Sequence, residues 1–419
     1  MRSLRRFGLV AAALLLAAGG DARAQSLPRL PSAGAPAAPR PETDGPSSKP
    51  KSSLPSVRIG ALLPLSGTSA WFGKEMRQGM ELAIADLDRA PDPDAPPALA
   101  AEPGVHLALE AADVSPLNLK QATEAFARLA ATGAPVIFTA SATPTVTVQP
   151  LAAARDVLLV HLGLVTERLA SASRTLIHAR APIAARVEAL VAYAAERQVR
   201  RLALLAAGDE FGKAVRAALA ASWRERGAAL VHEESVSLDA PDLAARLRRL
   251  VRVGPDAVVL GFRGADLGDL ALRLREAGYA GPLALLDDDP IALLAAGPGL
   301  QNAAVIADAF RPEPGSAGAR FTDVYTKKFG SAPSGHAATA YDAVTLVAAG
   351  LRQAMAERGG PPGGGRLRDV LLARRRFDSV YGGELRLRDD GTVSRPLALF
   401  SVDGGQLTFV RYLAPGKPA

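Results

Sequence analysis

Five histidines, a run of three aspartates and two clusters of small hydroxyl residues are the groups in this chain whose types suit chemistry. The histidines are His106, His161, His178, His232 and His336. None stands at the spacing of paired metal ligands, and the chain has no cysteine to supply a thiolate. His161 and His178 fall in or beside apolar runs, where a histidine satisfied by its neighbours is the ordinary outcome. Asp287, Asp288 and Asp289 offer oxygen ligands to a divalent cation, or simply a polar turn and cap for the segment that opens at Pro290. No G-x-S-x-G nucleophile elbow and no Walker phosphate loop is present. The glycine-rich stretch Gly359–Gly365 follows no strand. With no nucleophile placed beside a base, the sequence argues against an enzyme and names no catalytic residue, metal ligand or cofactor.

The hydroxyl clusters point elsewhere. Residues Val57–Leu63 form an apolar run of strand length, followed by Pro64, Ser66, Gly67 and Thr68. Apolar residues then recur at helical spacing through Met76, Met80, Ala83, Ile84 and Leu87. Strand, small-residue turn and amphipathic helix make the opening unit of an open α/β sheet, in which ligands sit beyond the carboxyl ends of the strands. Ser66–Gly73 is therefore a first candidate for ligand contact. Ser141-Ala142-Thr143-Pro144-Thr145 follows a second apolar run, Val136–Ala140, and opens a helix. Backbone N–H groups and hydroxyls at a helix N-terminus suit a carboxylate, and they equally suit ordinary N-capping.

The elements that position these loops alternate along the chain. Strand-like runs at Val105–Glu110, Val136–Ala140, Val157–Leu162, Leu202–Leu205, Ala257–Leu260, Leu283–Leu286 and Ala304–Ile306 are separated by helical patterns. Those helical patterns are Leu119–Ala131, Ile183–Ala195, Gly212–Arg226, Leu243–Val253 and Leu267–Ala277. Such alternation implies parallel sheets flanked by helices, and this many units implies two lobes. The 419 residues, 48% hydrophobic and 22% charged, suffice for two cores. Glu384–Val410 reads as short strands broken at Asp389-Asp390-Gly391 and Asp403-Gly404-Gly405.

The N-terminus has the organisation of an export signal over residues 1–24. Arg2, Arg5 and Arg6 precede the apolar stretch Phe7–Ala18, which is too short to span a bilayer, and Ala22-Arg23-Ala24 supplies a cleavage site. Residues 25–56, rich in Pro, Ser, Gly and Ala, read as a disordered linker. The net charge of +7 includes +3 from the signal, so cleavage leaves +4. The remaining arginines, such as Arg246, Arg248, Arg249 and Arg252, lie on helix faces without interleaved aromatics, which argues against nucleic acid as a partner. No later run is long enough for a membrane span, so no stable membrane insertion is expected once the signal is removed.

The segment VRIGALLPLSGTSAWFGKEMRQGMELAIADL resembles the start of the type I periplasmic solute-binding proteins, the branch serving leucine, isoleucine and valine ABC transporters. The shared features are an apolar strand, P-L-S-G, the aromatic-glycine pair Phe72-Gly73 and a helix ending A-I-A-D-L. The order of later elements continues the likeness over about residues 57–412. The resemblance implies two doubly wound parallel-sheet α/β lobes joined by a three-segment hinge. One lobe would comprise 57–180 and 308–378, the other 181–307 and 379–413. It also implies a ligand site: Ser66, Trp71, Phe72, Ser141, Ala142, Thr143, Leu164 and Val165 from the first lobe, and Phe211, Phe262, Arg263 and Asp287 from the second.

At several of these positions the chain departs from the resembled pattern. Ala142 and Val165 stand where hydroxyl residues are expected, and Phe211 and the Phe262-Arg263 pair stand where tyrosines are expected. Each lost hydrogen bond to a charged ligand group costs on the order of 1.5–3 kcal/mol. Either backbone groups and Thr143 compensate, or the ligand is a more apolar or aromatic acid, with Arg263 either its carboxylate partner or a rim arginine facing solvent. The resemblance implies a periplasmic, non-enzymatic receptor that hands a small amino acid-like or amphipathic carboxylate to ABC transporter membrane subunits. The alternative is a regulatory interaction protein with a degenerate pocket.

Overall fold

Four- and five-residue segments such as Leu158–His161, Leu202–Ala206 and Ala257–Gly261, apolar but for His161, are buried on both faces, which is what strands in the middle of a helix-covered parallel sheet require. The computed structural model describes residues 55–89, 105–165, 169, 174–286, 298–308, 310 and 313–413. The signal and linker expected before residue 55 lie outside these, as does Asp287–Asp289. All the described residues belong to one compact unit, Ser52–Ala419.

The first sheet contains β1 (Ser56–Leu63), β2 (His106–Asp113), β3 (Val136–Thr139), β4 (Leu158–His161) and β5 (Leu176–His178). All are parallel, in the order β2-β1-β3-β4-β5. Period-2 alternation divides its side chains between two faces. Val57, Ile59, Ala61 and Leu63 join a cluster with helix α1 (Ala70–Leu87), whereas Leu62 joins Ile137 and Leu159 under α2 (Leu119–Ala131) and α3 (Ala142–Ala154). In α2 the buried residues Ala122, Ala125, Phe126 and Leu129 form one stripe, and the Asn118 side chain accepts from the Gln121 N–H to cap its start.

The second sheet has the order β15-β14-β10-β9-β8-β6-β7. Its parallel part is β6 (Leu202–Ala206), β7 (His232–Ser235), β8 (Ala257–Gly261), β9 (Leu283–Leu286) and β10 (Ala303–Asp308). The hairpin β14 (Leu397–Asp403) and β15 (Gln406–Leu413) adds two antiparallel strands. Helices α4 (Ile183–Glu196) and α5 (Glu210–Glu225) cover one face. Helices α6 (Leu243–Val253) and α7 (Gly264–Glu276) cover the other. The sequence therefore yields two α/β layered bodies, as its alternation requires.

Helices α8 (Ala317–Phe329), α9 (Gly335–Arg358) and α10 (Gly364–Arg374) return to the first sheet, where α9 packs along α1. A small antiparallel sheet follows, made of β11 (Arg376–Asp378), β12 (Glu384–Leu387) and β13 (Val393–Ser394). Its buried residues Phe377, Leu385, Leu387 and Val393, with Val380 and Tyr381, sit in the cluster of the first sheet. The sequence reading places 379–394 after the third crossing; their apolar contacts are with the first body, and the chain joins the second sheet at Leu397.

Buried charge marks the chain segments that run between the two bodies. Arg186 on α4 pairs with Asp308 at the end of β10 at 3.1 Å, both side chains being almost wholly inaccessible. Arg395, just before β14, donates to the Ala179 carbonyl at 2.7 Å, lies 3.8 Å from Asp342 and stacks 4.1 Å above the Tyr381 ring. Asp342 also accepts from Ser379 Oγ and the Val380 N–H. Burial still holds its carboxyl above the usual range, against the lowering pull of Arg395 and these two donors.

Candidate ligand cleft between the two sheets

Both parallel sheets reverse their strand order next to their first strand. In the first sheet the reversal lies between β1 and β3, and in the second between β6 and β8. At such a switch point the loops leaving adjacent strands diverge to opposite faces and leave a crevice beyond the carboxyl ends. A cleft of about 290 Å³ is lined from both sides by those loops. The first sheet contributes Ser69 and Phe72 after β1, Pro116 and Leu117 after β2, Ala140–Thr143 after β3, and Leu164 after β4. The second contributes Glu210 and Phe211 after β6 and Arg263 after β8.

Two aromatic-glycine pairs set the lips. A Cβ on Gly73 would collide with the Pro64 carbonyl, and one on Gly212 with the Ala207 carbonyl. Only glycine lets the first turn of α1 and of α5 settle onto the end of the preceding strand, and this seats Phe72 and Phe211 at the cleft. Asp209 caps α5, accepting from the Gly212 N–H at 2.8 Å.

On the first-sheet side, α3 points its N-terminus at the cleft. Its N-cap residue Ser141 makes no side-chain bond to its own helix. Ala142 has lost a hydroxyl but keeps its N–H, as does Thr143; Pro144 has none to offer. An exposed helix start with uncommitted N–H and O–H donors is an anion site in the making. On the opposite side Arg263 lies 5.0 Å over the Phe211 ring and 3.5 Å from Asp209, and is half exposed. Stacking on a ring fixes the guanidinium without consuming its donors.

The structure brings together seven of the twelve residues expected at the site: Phe72, Ser141, Ala142, Thr143, Leu164, Phe211 and Arg263. Four others line other surroundings. Ser66 donates its N–H, with that of Leu65, to Asp113 at the end of β2. Burial raises the Asp113 carboxyl, but the Ser66 hydroxyl and the two N–H groups outweigh it and hold it below the ordinary range. Trp71 stands half exposed with its ring 5.2 Å from His336 and 5.6 Å from Phe72. Val165 is buried, bridging to Pro182, and Phe262 is buried in the second-sheet core because successive residues at a strand's end point to opposite faces. Asp287 lies outside the described residues. Ser69 falls within the turn Ser66–Gly73 that the sequence points to, whereas Pro116, Leu117, Ala140 and Glu210 were missed. The β2–α2 loop follows a strand end as the others do, so the same rule would have pointed to Pro116 and Leu117. Among the described residues, no three His, Asp or Glu side chains converge as metal ligands. No helix among them is long and apolar enough to cross a membrane.

Comparison with known proteins agrees with this geometry. A family model described as periplasmic binding protein matches residues 56–406. No curated protein sequence matches. Among solved structures, a leucine binding protein LivK from Thermotoga maritima superposes with a TM-score of 0.67 at 17% identity, covering 86% of this chain and 99% of its own. The branched-chain amino acid transporter substrate binding protein LivJ from Streptococcus pneumoniae, in complex with isoleucine, gives 0.68 at 19% identity over 85% and 99%. An ABC transporter solute binding protein from R. palustris, in complex with benzoate, gives 0.68 at 16% identity over 87% and 98%. The chain belongs to the periplasmic binding protein family and has its type I fold.

Proposed function

We propose that this periplasmic binding protein captures a small carboxylate with an apolar or aromatic body between its two sheets and presents it to ABC transporter membrane subunits. One observation carries the reading: a helix N-terminus with an uncommitted serine on one wall and a ring-stacked arginine on the other share a single cleft. Both favour an anion. The rest of the lining, Phe72, Pro116, Leu117, Leu164 and Phe211, favours apolar substance.

The volume of about 290 Å³ lies at the small end of ligand clefts, which run from ~300 Å³ upward. Ala142 offers a zwitterion no hydroxyl, and Val165 is buried away from the cleft. Glu210 is the acidic residue in the cleft lining, and Asp209, 3.5 Å from Arg263, already accepts from the Gly212 N–H. Relatives of this fold are solved with isoleucine and with benzoate, and the apolar lining inclines this chain toward the second kind. Export to the periplasm follows from the family and from the signal-like N-terminus. Closure of the two bodies on the ligand would create the form that a transporter recognises.

Calorimetry against benzoate, phenylacetate, leucine and isoleucine tests this. At least one aromatic carboxylate is expected to bind more tightly than either amino acid. Arg263→Ala is expected to weaken that binding at least tenfold, as loss of a charge-assisted bond predicts. A panel without any binder would sink the reading, and undiminished affinity in the variant would remove Arg263 from it.

A further inference from the structure

Behind the first-sheet wall of the cleft lies a buried polar group that is not part of the cleft lining. His161, at the end of β4, is wholly buried with Thr139 and Thr145. Its Nε2 lies 3.2 Å from the Leu164 carbonyl. Its Nδ1 lies 3.0 Å from Thr145 Oγ1 and 3.2 Å from Thr139 Oγ1. The Thr145 hydroxyl also reaches the Ser141 carbonyl at 2.7 Å and Thr139 Oγ1 at 2.8 Å.

The chemistry of these partners fixes the tautomer. A carbonyl only accepts, so Nε2 carries the proton and donates to Leu164. Nδ1 then accepts the one hydroxyl proton of Thr145. Thr145 stands in the first turn of α3, where its N–H donates to the carbonyl of Ser141, the helix's N-cap, at 3.1 Å. Leu164 lies in the next loop and packs its side chain against the core of the second sheet. Ser141 and Leu164 both line the cleft. The histidine therefore joins two loops whose connection along the chain runs through all of α3 and β4.

We infer that His161 is the positioning residue of the binding cleft: by donating to Leu164 and accepting from Thr145 it sets the distance between the α3 N-terminus and the Leu164 loop. The inference rests on the reading of this cleft as the ligand site. A neutral ring is required, because a protonated Nδ1 would have no lone pair for Thr145. Burial, reinforced by the neighbouring His178 and by Arg180 against the pull of the Leu164 carbonyl, lowers His161 to about 3 and keeps it neutral. The groups facing it are His178 on β5, 6.0 Å away ring to ring, the two threonines and Arg180. An apolar residue in its place would leave the Leu164 carbonyl and the Thr145 hydroxyl to find other partners in a dry interior.

The test needs no ligand, so it stands or falls separately from the proposed substrate. Long-range nitrogen-proton NMR of the intact protein at pH 7 is expected to show His161 protonated at Nε2 alone. Amide hydrogen exchange is then compared for Thr145→Val, which removes the hydroxyl at nearly constant volume, and Thr145→Ser, which restores it. The valine variant is expected to exchange at least tenfold faster at residue 145, whose N–H the Ser141 carbonyl accepts, and also at Ile183, whose N–H the Val165 carbonyl accepts, across the histidine, with β1 and β2 unchanged. The serine variant is expected to return both amides to the parent rates. A proton on Nδ1, or a valine variant loosened at residue 145 with Ile183 at the parent rate, overturns the inference.

Discussion

Single residues divide here by whether their polar groups are committed within the fold. Ser141 makes no cap bond to its helix and Arg263 stacks on Phe211 with Asp209 3.5 Å away, whereas Ser66 spends its N–H and hydroxyl on Asp113. The same residue type thus lines the cleft in one loop and braces a strand end in another. Histidine is scaffolding throughout the first sheet. His178 is lowered to about 4, chiefly by burial and against the raising influence of the Leu169 carbonyl and Asp390, with Arg368 opposing. A depressed histidine is neutral in the fold while the unfolded chain, with a value near 6.5, takes up a proton. Its contribution is therefore complete above pH 6.5 and is lost as the pH falls toward 4. Denaturant unfolding between pH 6 and 5 is expected to show a stability slope about 1 kcal/mol per pH unit shallower in His178→Gln than in the parent protein. Parallel slopes would mean that His178 is charged in the folded state.

Elements matter through their ends. The cleft is built from strand carboxyl ends and helix N-termini, and the helices α1 and α5 reach it only because their fourth and third residues are glycines packed on a carbonyl. Gly212→Ala is expected to force α5 away from Ala207, lowering stability by roughly 1–3 kcal/mol as overpacked sites do. It should also weaken binding of any aromatic acid, since Phe211 and its stacked arginine would move with the helix. The check is a melting curve with and without benzoate: an unchanged midpoint would show that the helix start yields without cost. At the other extreme α6, with Leu243, Leu247 and Leu250 as its buried stripe and Gly254 in the left-handed conformation at its end, follows local rules and bears on no site.

At the scale of the molecule the segments between the bodies carry charge where apolar packing would be ordinary. Arg186 with Asp308, and Arg395 with Asp342 and the Ala179 carbonyl, tie chain segments far apart in sequence. A buried pair contributes little net stability compared with apolar residues of the same size, but breaking it strands a charge. Arg186→Met is expected to cost about 3–5 kcal/mol in urea unfolding, and adding Asp308→Leu should recover most of that loss. A double variant as damaged as the single one would show that the pairing is not what makes Arg186 necessary. Such pairs also favour one arrangement of the chain segments that run between the two bodies.

What the chain settles by itself is whatever depends on local periodicity. Runs of Leu, Val and Ala of strand length alternate with amphipathic stripes, and that dictates parallel sheets between helices before any contact is known. The hydroxyls opening α3 were legible for the same reason, since helix starts are local events, whereas Phe72 and Phe211 with the glycines after them were read from the family resemblance. What tertiary structure alone decided is which strand-end side chains face the crevice. Phe262 and Arg263 are neighbours, yet one is core and the other cleft; Leu164 lines the wall while Val165 is buried. The direction of a side chain at a strand's last residue depends on twist and on the helix that follows. The fate of a hydroxyl or imidazole depends on partners brought in from other strands, as Thr145 is to His161 and Asp113 to Ser66. No spacing along the chain encodes those meetings, because they exist only once separate strands lie side by side.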